Sequence, residues 1–393
     1  MRILVLGGDG YLGWPTAVDL ASRGHDVAIV DNYVKRTIES KIGVTPLLEV
    51  PRLHDRSRQL AANTGWNIEV FIGDISKDYE FLSHVLNAFE PEAIVHYAEQ
   101  PSAPYSMAGV EEAVFTQVNN VVGTLNLAFA VAERDPSIHI VKLGTMGEYG
   151  TPEIPIEEGW LEITHGGRHD RVLFPKRPHS IYHLSKVHDS NNLEFMCRTW
   201  GFRVTDLNQG VVYGHRTNYY DDAGFSTSFH YDGVFGTVIN RFAVQAAMGM
   251  PLTVYGAGGQ TRGYLNIKDT LECINLALLN PADAGEIRVF NQFTETFSVM
   301  DIARQVVEAA GNIGIQASIA HTDNPRNEKE EHFYEAAHTG LVGLGLQPHF
   351  MSHGLLEELL RDIQPWINRV NGGTILNSPT WTGVVERTPT HAR

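Results

Sequence analysis

Short apolar runs of strand length alternate with segments of helical periodicity through the first 150 residues, which predicts an α/β fold. The expected architecture is a doubly wound parallel sheet, covered by helices on both faces, with a smaller C-terminal lobe. Two further observations agree with it. A turn carrying three glycines follows the first run, where a buried strand would enter a helix. After residue 210 the regular alternation breaks up, as expected where the chain leaves the sheet.

The elements follow in order. "RILVLGG" is the first buried run, and "YLGWPTAVDLASRGH" has helical spacing and stops at a glycine. "DVAIVDN", "IEVFIGDI", "AIVHYAE" and "HIVKLGT" are the next strands, separated by helical segments such as "VVGTLNLAFAVAERD". "FRVTDLNQGVVYG" reads as a further strand running into a loop. Residues 215–235, rich in Tyr, Asp, Gly and Ser, read as an irregular insertion. "VINRFAVQAAMGM", "PLTVYG", "SVMDIARQVVEAAG" and "GLLEELLRDI" supply later helices and short strands. The expected division is 1–210 for the sheet domain, with later segments returning to it. The smaller lobe is 211–371, and 372–393 is an irregular surface tail.

Hydrophobic residues at 43% and charged residues at 19% suit a globular chain, and 393 residues suffice for two lobes. A formal charge of −16 argues against a nucleic-acid partner, because a phosphate backbone needs a Lys/Arg excess. The two cysteines, Cys197 and Cys273, show no CxxC spacing, which disfavours a disulfide framework and points to a reducing cytoplasm. The chain opens directly on a strand and shows no apolar run of membrane-spanning length, so membrane insertion is not expected. The 18 histidines lack HExxH or paired spacing, so no metal site is expected.

In "GGDGYLG", Gly7, Gly10 and Gly13 let the backbone fold tightly and approach a diphosphate, whose charge then faces the helix N-terminus. Asp9, Tyr11 and Leu12 complete the loop. Asp31, 18 residues after Gly13, stands where a carboxylate takes the adenosine ribose hydroxyls and repels a 2′-phosphate. NAD is therefore the expected cofactor, although Lys35 and Arg36 pull slightly toward NADP. Asn32 and Arg36 join Asp31 as candidate contacts, with Asp74 and Ile75 near the adenine and Asn119 before the next helix. Glu99, Gln100 and Asn120 read as caps of their elements.

"SIYHLSK" places Tyr182 and Lys186 on one helix face. A free phenol, with a pKa of about 10, is a poor base. An ammonium and an oxidised nicotinamide both favour the phenolate, which can then take a proton from a sugar hydroxyl. Alone, such a pair is common on helix surfaces. Joined to the glycine loop and to "KLGTMGEYG", it resembles the extended short-chain dehydrogenase/reductase superfamily, whose fold is a Rossmann sheet. The resemblance implies Thr145, Tyr182 and Lys186 as the catalytic set, with Lys186 also reaching the nicotinamide ribose.

"PLTVYGAGGQTRGYLNIKD" resembles the part of nucleotide-sugar epimerases and dehydratases that holds a nucleoside diphosphate. Arg262 and Arg326 match that branch's diphosphate arginines, whose guanidinium fits phosphate oxygens in pairs. In 4,6-dehydratases an Asp-Glu pair usually follows the catalytic threonine; here Met146 and Gly147 stand there, which disfavours that reaction. "SAPYSM", "YHLSKVHDS", "VFGT", "FNQFTE" and "NPRNEKEEHFY" together resemble the UDP-sulfoquinovose synthase family over nearly all of residues 1–350. That family converts UDP-glucose and sulfite to UDP-sulfoquinovose through oxidation at C4, loss of water across C5 and C6, sulfite addition at C6 and re-reduction at C4.

The resemblance implies His183 as a candidate acid or base, although neighbouring helix residues point about 100° apart. It further implies Ser102, Tyr105, Gln209, Thr237, Arg241, Thr253, Tyr255 and Gln260 as substrate contacts, and a homodimer as the assembly. One departure stands out: "EQPSAPYSM" has Pro101 where the family usually has an arginine. A proline offers neither charge nor donor, and His96, Lys142 and Arg241 are the candidates to compensate. Two other readings remain open. One is a related enzyme using another sugar or nucleophile, and the other is an NAD-binding sensor without catalysis.

Overall fold

The computed structural model describes residues 1–219, 227–326, 332–379 and 381. Seven strands form the main sheet, numbered here in chain order: β1 (Arg2–Leu6), β2 (Asp26–Asp31), β3 (Ile68–Ile72), β4 (Ala93–His96), β5 (His139–Thr145), β6 (Arg203–Gln209) and β7 (Ile287–Gln292). All pair in parallel, in the order β7-β6-β5-β4-β1-β2-β3. Alternate residues of the same runs feed two cores. Ile3, Val5 and Ile29 pack on one face, and Leu4, Leu6 and Ala28 on the other. Burial on both faces is why β1, β2 and β4 read as continuous apolar runs.

The strand order reverses beside β1, with β2 on one side and β4 on the other. That switch opens a crevice above the carboxyl ends of the strands, the place where open α/β sheets bind ligands. β7 comes from late in the chain and closes the sheet beside β6.

The smaller lobe has its own core, built on the helices Val238–Ala247, Val299–Asn312 and Leu355–Ile363. In the last of these Leu355, Leu356, Leu359, Leu360 and Ile363 are buried, one stripe of an amphipathic helix. Ser298 and Asp301 form a capping box that fixes where Val299–Asn312 begins. A small sheet of Val211–Tyr213, Thr261–Asn266 and Glu295–Ser298 joins this lobe to the rim of the main sheet. An exposed hairpin, Trp160–His165 with Arg168–Leu173, turns through Gly166 and Gly167, both at positive φ.

Three expectations need correction or completion. The helical run Val110–Arg134 is long and apolar enough to cross a membrane by length and composition, contrary to the sequence reading. Half of it is buried inside the fold, and its polar Asn119 and Asn120 are buried too, so it is packed as a core helix. The tail expected on the surface instead buries Thr374, Ile375 and Trp381; its residues 380 and 382–393 lie outside the described residues. Residues 220–226 of the irregular insertion and 327–331 of "NPRNEKEEHFY" also lie outside them.

Candidate active site

Two clefts meet above the sheet. The first, about 340 Å³, is lined by Gly7, Asp9, Gly10, Tyr11, Leu12 and Gly13 from the loop after β1. At Gly13 a Cβ would lie 2.1 Å from the Gly7 carbonyl oxygen, so only glycine lets the helix Gly13–Ser22 start this close to the strand. Asp31, at the end of β2, accepts hydrogen bonds from the Asp9 and Tyr33 amides at 2.8 and 2.7 Å. Burial, with the Asp9 carboxylate beside it, raises its pKa to about 6. Asn32, Asp74, Ile75 and Asn119 line the same cleft. Asn32 also accepts from the Val34 amide, and Asp74 from Ser76.

Arg36 does not line this cleft. Its guanidinium forks onto Asp9 at 2.5 and 2.8 Å and donates to the Val50 and Pro51 carbonyls, behind the loop. Fully buried Arg56 grips the same carboxylate. Asn119 and Asn120 lie on a π-helical turn, Val118–Val122, a type of distortion frequent at functional sites. The turn sends Asn119 to the cleft. Asn120 ties the Gln100 backbone to Ser185 on the helix Ile181–Trp200.

That helix starts at Ser180, whose hydroxyl accepts from the His183 amide, and stops at Gly201 with φ 74°. It brings Tyr182 to the junction of the clefts, opposite Thr145 at the end of β5. Thr145 caps the turn Met146–Glu148: its Oγ1 accepts from the Gly147 amide and its amide donates to Glu148. Burial alone would raise the Glu148 carboxyl, but Lys142 and Lys176 hold it down at about 2. Lys186 donates to the Leu143 carbonyl at 2.7 Å, and its Nζ lies 5.9 Å from the centre of the Tyr182 ring. Burial, followed by the Glu99 and Glu148 carboxylates, pushes the Tyr182 phenol well up, so it holds its proton in the ligand-free chain.

The second cleft, about 280 Å³, shares Thr145, Tyr182, Gln209 and Thr237 with the first. His183 lines it, with Nδ1 2.9 Å from Ser180 Oγ; burial, then Arg326 and Arg262, lowers its pKa to about 3. The imidazole is therefore neutral in the ligand-free chain, and a weak base so long as no anion offsets the two guanidinium groups. Arg241, Tyr255, Gln260, Arg262 and Arg326 line the far side. Arg241 stacks on Tyr255 at 4.8 Å, and Arg262 donates to the Thr261 carbonyl. Buried Thr237 Oγ1 and Gln260 Nε2, which line this cleft, have no hydrogen-bond partner among the described residues.

Several expected contacts lie elsewhere. Tyr105 is buried edge-on against Phe115 and reaches neither cleft. Thr253 accepts from Gln245 and also stays outside. Ser102 lines the cofactor end, but its hydroxyl is held by the Val234 carbonyl. Pro101 lines both clefts; of its three candidate substitutes only Arg241 enters the sugar side. Lys142 is buried on Glu148 and Asp206, and His96 against Thr124. Conversely, Trp381 lines the second cleft with its indole 5.4 Å from the Arg326 guanidinium, a contact that an aperiodic tail gave no means of foreseeing. Among the described residues, no group of three His, Cys, Asp or Glu side chains could hold a metal ion.

The profile of the NAD dependent epimerase/dehydratase family matches residues 3–291. The chain belongs to this family. Within it, the chain is 51% identical to the chloroplastic UDP-sulfoquinovose synthase of Spinacia oleracea over 97% of its own length and 79% of that protein. It is 43% identical to the UDP-sulfoquinovose synthase of Sulfolobus acidocaldarius, over 94% of each. Among solved structures, the Thermotoga maritima UDP-glucose 4-epimerase with UDP-glucose superposes with a TM-score of 0.67. It is 20% identical, covering 93% of this chain and 99% of that one, a likeness of fold.

The cofactor of this epimerase/dehydratase family member is NAD, and the residues fit it. The glycine loop leaves the helix N-terminus open to a diphosphate, and Asp31 stands ready for ribose hydroxyls. One feature separates the chain from the dehydratase pattern. A Cβ at Gly147 would lie 2.3 Å from His183 Nε2. The imidazole fills the space that any side chain at position 147 would need.

Proposed function

We propose that this chain makes UDP-sulfoquinovose from UDP-glucose and sulfite, the activity named for its two closely similar relatives. The observation that carries the reading is the imidazole of His183, seated against Gly147 in the same cleft as Tyr182 and Thr145. Bound NAD supplies a hydride acceptor at C4 and returns that hydride at the end. Tyr182 takes the proton of the C4 hydroxyl, and Thr145 hydrogen-bonds the same oxygen. The C4 ketone acidifies the C5 hydrogen, His183 removes it, and the C6 hydroxyl leaves as water. Sulfite adds to the C5–C6 double bond at C6, C5 regains a proton, and Tyr182 returns its proton as C4 is reduced. The net change replaces the C6 hydroxyl by a sulfonate.

Arg262 and Arg326 are proposed to hold the diphosphate, with Gln260, Thr237, Tyr255 and Arg241 beside it. Pro101 at the junction favours a second reading, in which a different nucleophile adds to the same unsaturated sugar. Incubation with UDP-glucose, with and without sulfite, followed by mass spectrometry decides between them. A sulfonated product that forms only with sulfite is expected; its absence beside another adduct or a C4 epimer would favour the second reading.

A homodimer is proposed from the surface. Val110, Val114, Val118 and Val122 form an exposed stripe at four-residue spacing, near Phe195 and Trp200 on the Ile181–Trp200 helix, and a second copy would cover it. Light scattering on the purified chain tests this; a monomer at micromolar concentration would rule it out. Both cysteines are buried and free, which supports a reducing compartment such as the cytoplasm.

A further inference from the structure

The ammonium of Lys186 meets a carboxylate that the proton transfers above leave unused. Lys186 Nζ lies 2.7 Å from Glu99 Oε1, with the two side chains only 3% and 2% exposed. Glu99, in the loop after β4, lines the cofactor cleft, whereas Lys186 lines neither cleft. Both carboxylate oxygens are themselves buried, so the pair sits behind the cleft wall. A buried charge pair holds together because either member alone would be a desolvated, uncompensated charge.

Every element packed around the pair brings titratable groups. His96 from β4 lies 3.9 Å from Glu99 and, buried, is lowered to about 4. Lys142 from β5 and Glu148 after it act on the Tyr182 phenol, and His183 lies beside it with ring centres 5.1 Å apart. Asp189, on the lysine's own helix, is pushed well above the ordinary carboxylate range by burial and then by Glu99. Of the charged groups, Glu99 has the largest upward effect on the phenol.

We propose that Glu99 is a positioning residue, whose carboxylate anchors the Lys186 ammonium and balances its charge at Tyr182 until the cationic nicotinamide ring of the oxidised dinucleotide enters. The proposal rests on Tyr182 and Lys186 as the proton-handling pair, and not on the identity of the nucleophile. Glu99→Gln keeps the shape and removes the charge. The lysine then acts uncompensated on the phenol, and oxidised dinucleotide loses an opposite charge.

Two shifts are expected in Glu99→Gln. The acidic limb of C4 oxidation, followed as NADH absorbance with UDP-glucose, moves down by about one pH unit, and affinity for NAD⁺ relative to NADH falls by about tenfold. Glu99→Asp, which keeps the charge, leaves the limb in place while kcat falls. A folded Glu99→Gln with both quantities unmoved would overturn the proposal. Should that variant not fold, calorimetry on the wild-type chain in two buffers decides. NAD⁺ binding is expected to release a proton near neutral pH and NADH binding none; equal release with both also overturns it. Binding and proton release are read without any sugar, so failure of the sulfite reading leaves this test intact.

Discussion

Gly147→Ala tests the role of His183 by steric means. The added Cβ would sit 2.3 Å from His183 Nε2 and 2.5 Å from its Cδ2. Ordinary contact begins at about 3.5 Å, so the ring must retreat by about 1 Å. Ser180 holds Nδ1 at 2.9 Å and Tyr182 stands alongside, so the retreat turns Nε2 away from its target. Gly147 is not among the residues with positive φ, so backbone strain plays no part. A displacement of about 1 Å costs about 100-fold in rate, about 2.7 kcal/mol of barrier. Two clocks separate the steps. Deuterium wash-in at C5 of UDP-glucose in heavy water reports proton removal, and NADH absorbance reports C4 oxidation. The expected result is wash-in slowed by about 100-fold with C4 oxidation within about threefold of wild type. Wash-in at the wild-type rate would refute the assignment of His183 as the base. Equal loss in both steps would show that the Thr145–Glu148 turn had broken instead.

Tyr182→Phe should bind NAD with unchanged affinity yet show no NADH absorbance with UDP-glucose; normal turnover would remove the phenol from the chemistry. His215 is lowered from about 6.5 to about 3 by burial and Arg216, so its contribution to stability is present above pH 6.5 and lost as the pH falls toward 3. Denaturant titrations at pH 6.5, 5.5 and 4.5, values spanning roughly that window, should show His215→Phe losing less stability than wild type, by up to about 1.4 kcal/mol per pH unit. Parallel losses would contradict the buried neutral imidazole. Trp381→Ala should weaken UDP binding by about 1 kcal/mol through loss of the contact on Arg326, measured by calorimetry, with kcat nearly constant. An unchanged Kd would mean the indole only covers the cleft.

β1, β2 and β4 were legible as apolar runs because both their faces are buried, whereas β3, β5 and β6 carry Glu69, Lys142 and Asp206 and were legible from their place in the strand–helix alternation. β7 escaped because its run, "IRVFNQ", carries Arg288, Asn291 and Gln292, and the sheet edge tolerates them. The hairpin at 160–173 escaped for a similar reason, since its strands are charged and exposed. In the site, spacing and neighbouring motifs singled out Thr145 and Tyr182, which line both clefts, and Lys186, which was expected at the nicotinamide ribose but lines neither. Direction was harder. Thr253 and Tyr255 share one face of a strand, but Gln245 captures the threonine and only the tyrosine lines the cleft. Glu99 read as a strand cap because its partner lies 87 positions further on, a pairing that only the fold creates.

The Asp9 knot bears on any effort to retool this chain for a phosphorylated dinucleotide. Removing the acid at position 31 would lift the repulsion, but the cations nearby are already committed: Arg36 and Arg56 grip Asp9, and Lys35, which lines the cleft, is paired with Glu39. Such a change of coenzyme therefore calls for at least two replacements made together, one at Asp31 and one that frees a guanidinium from its neighbour.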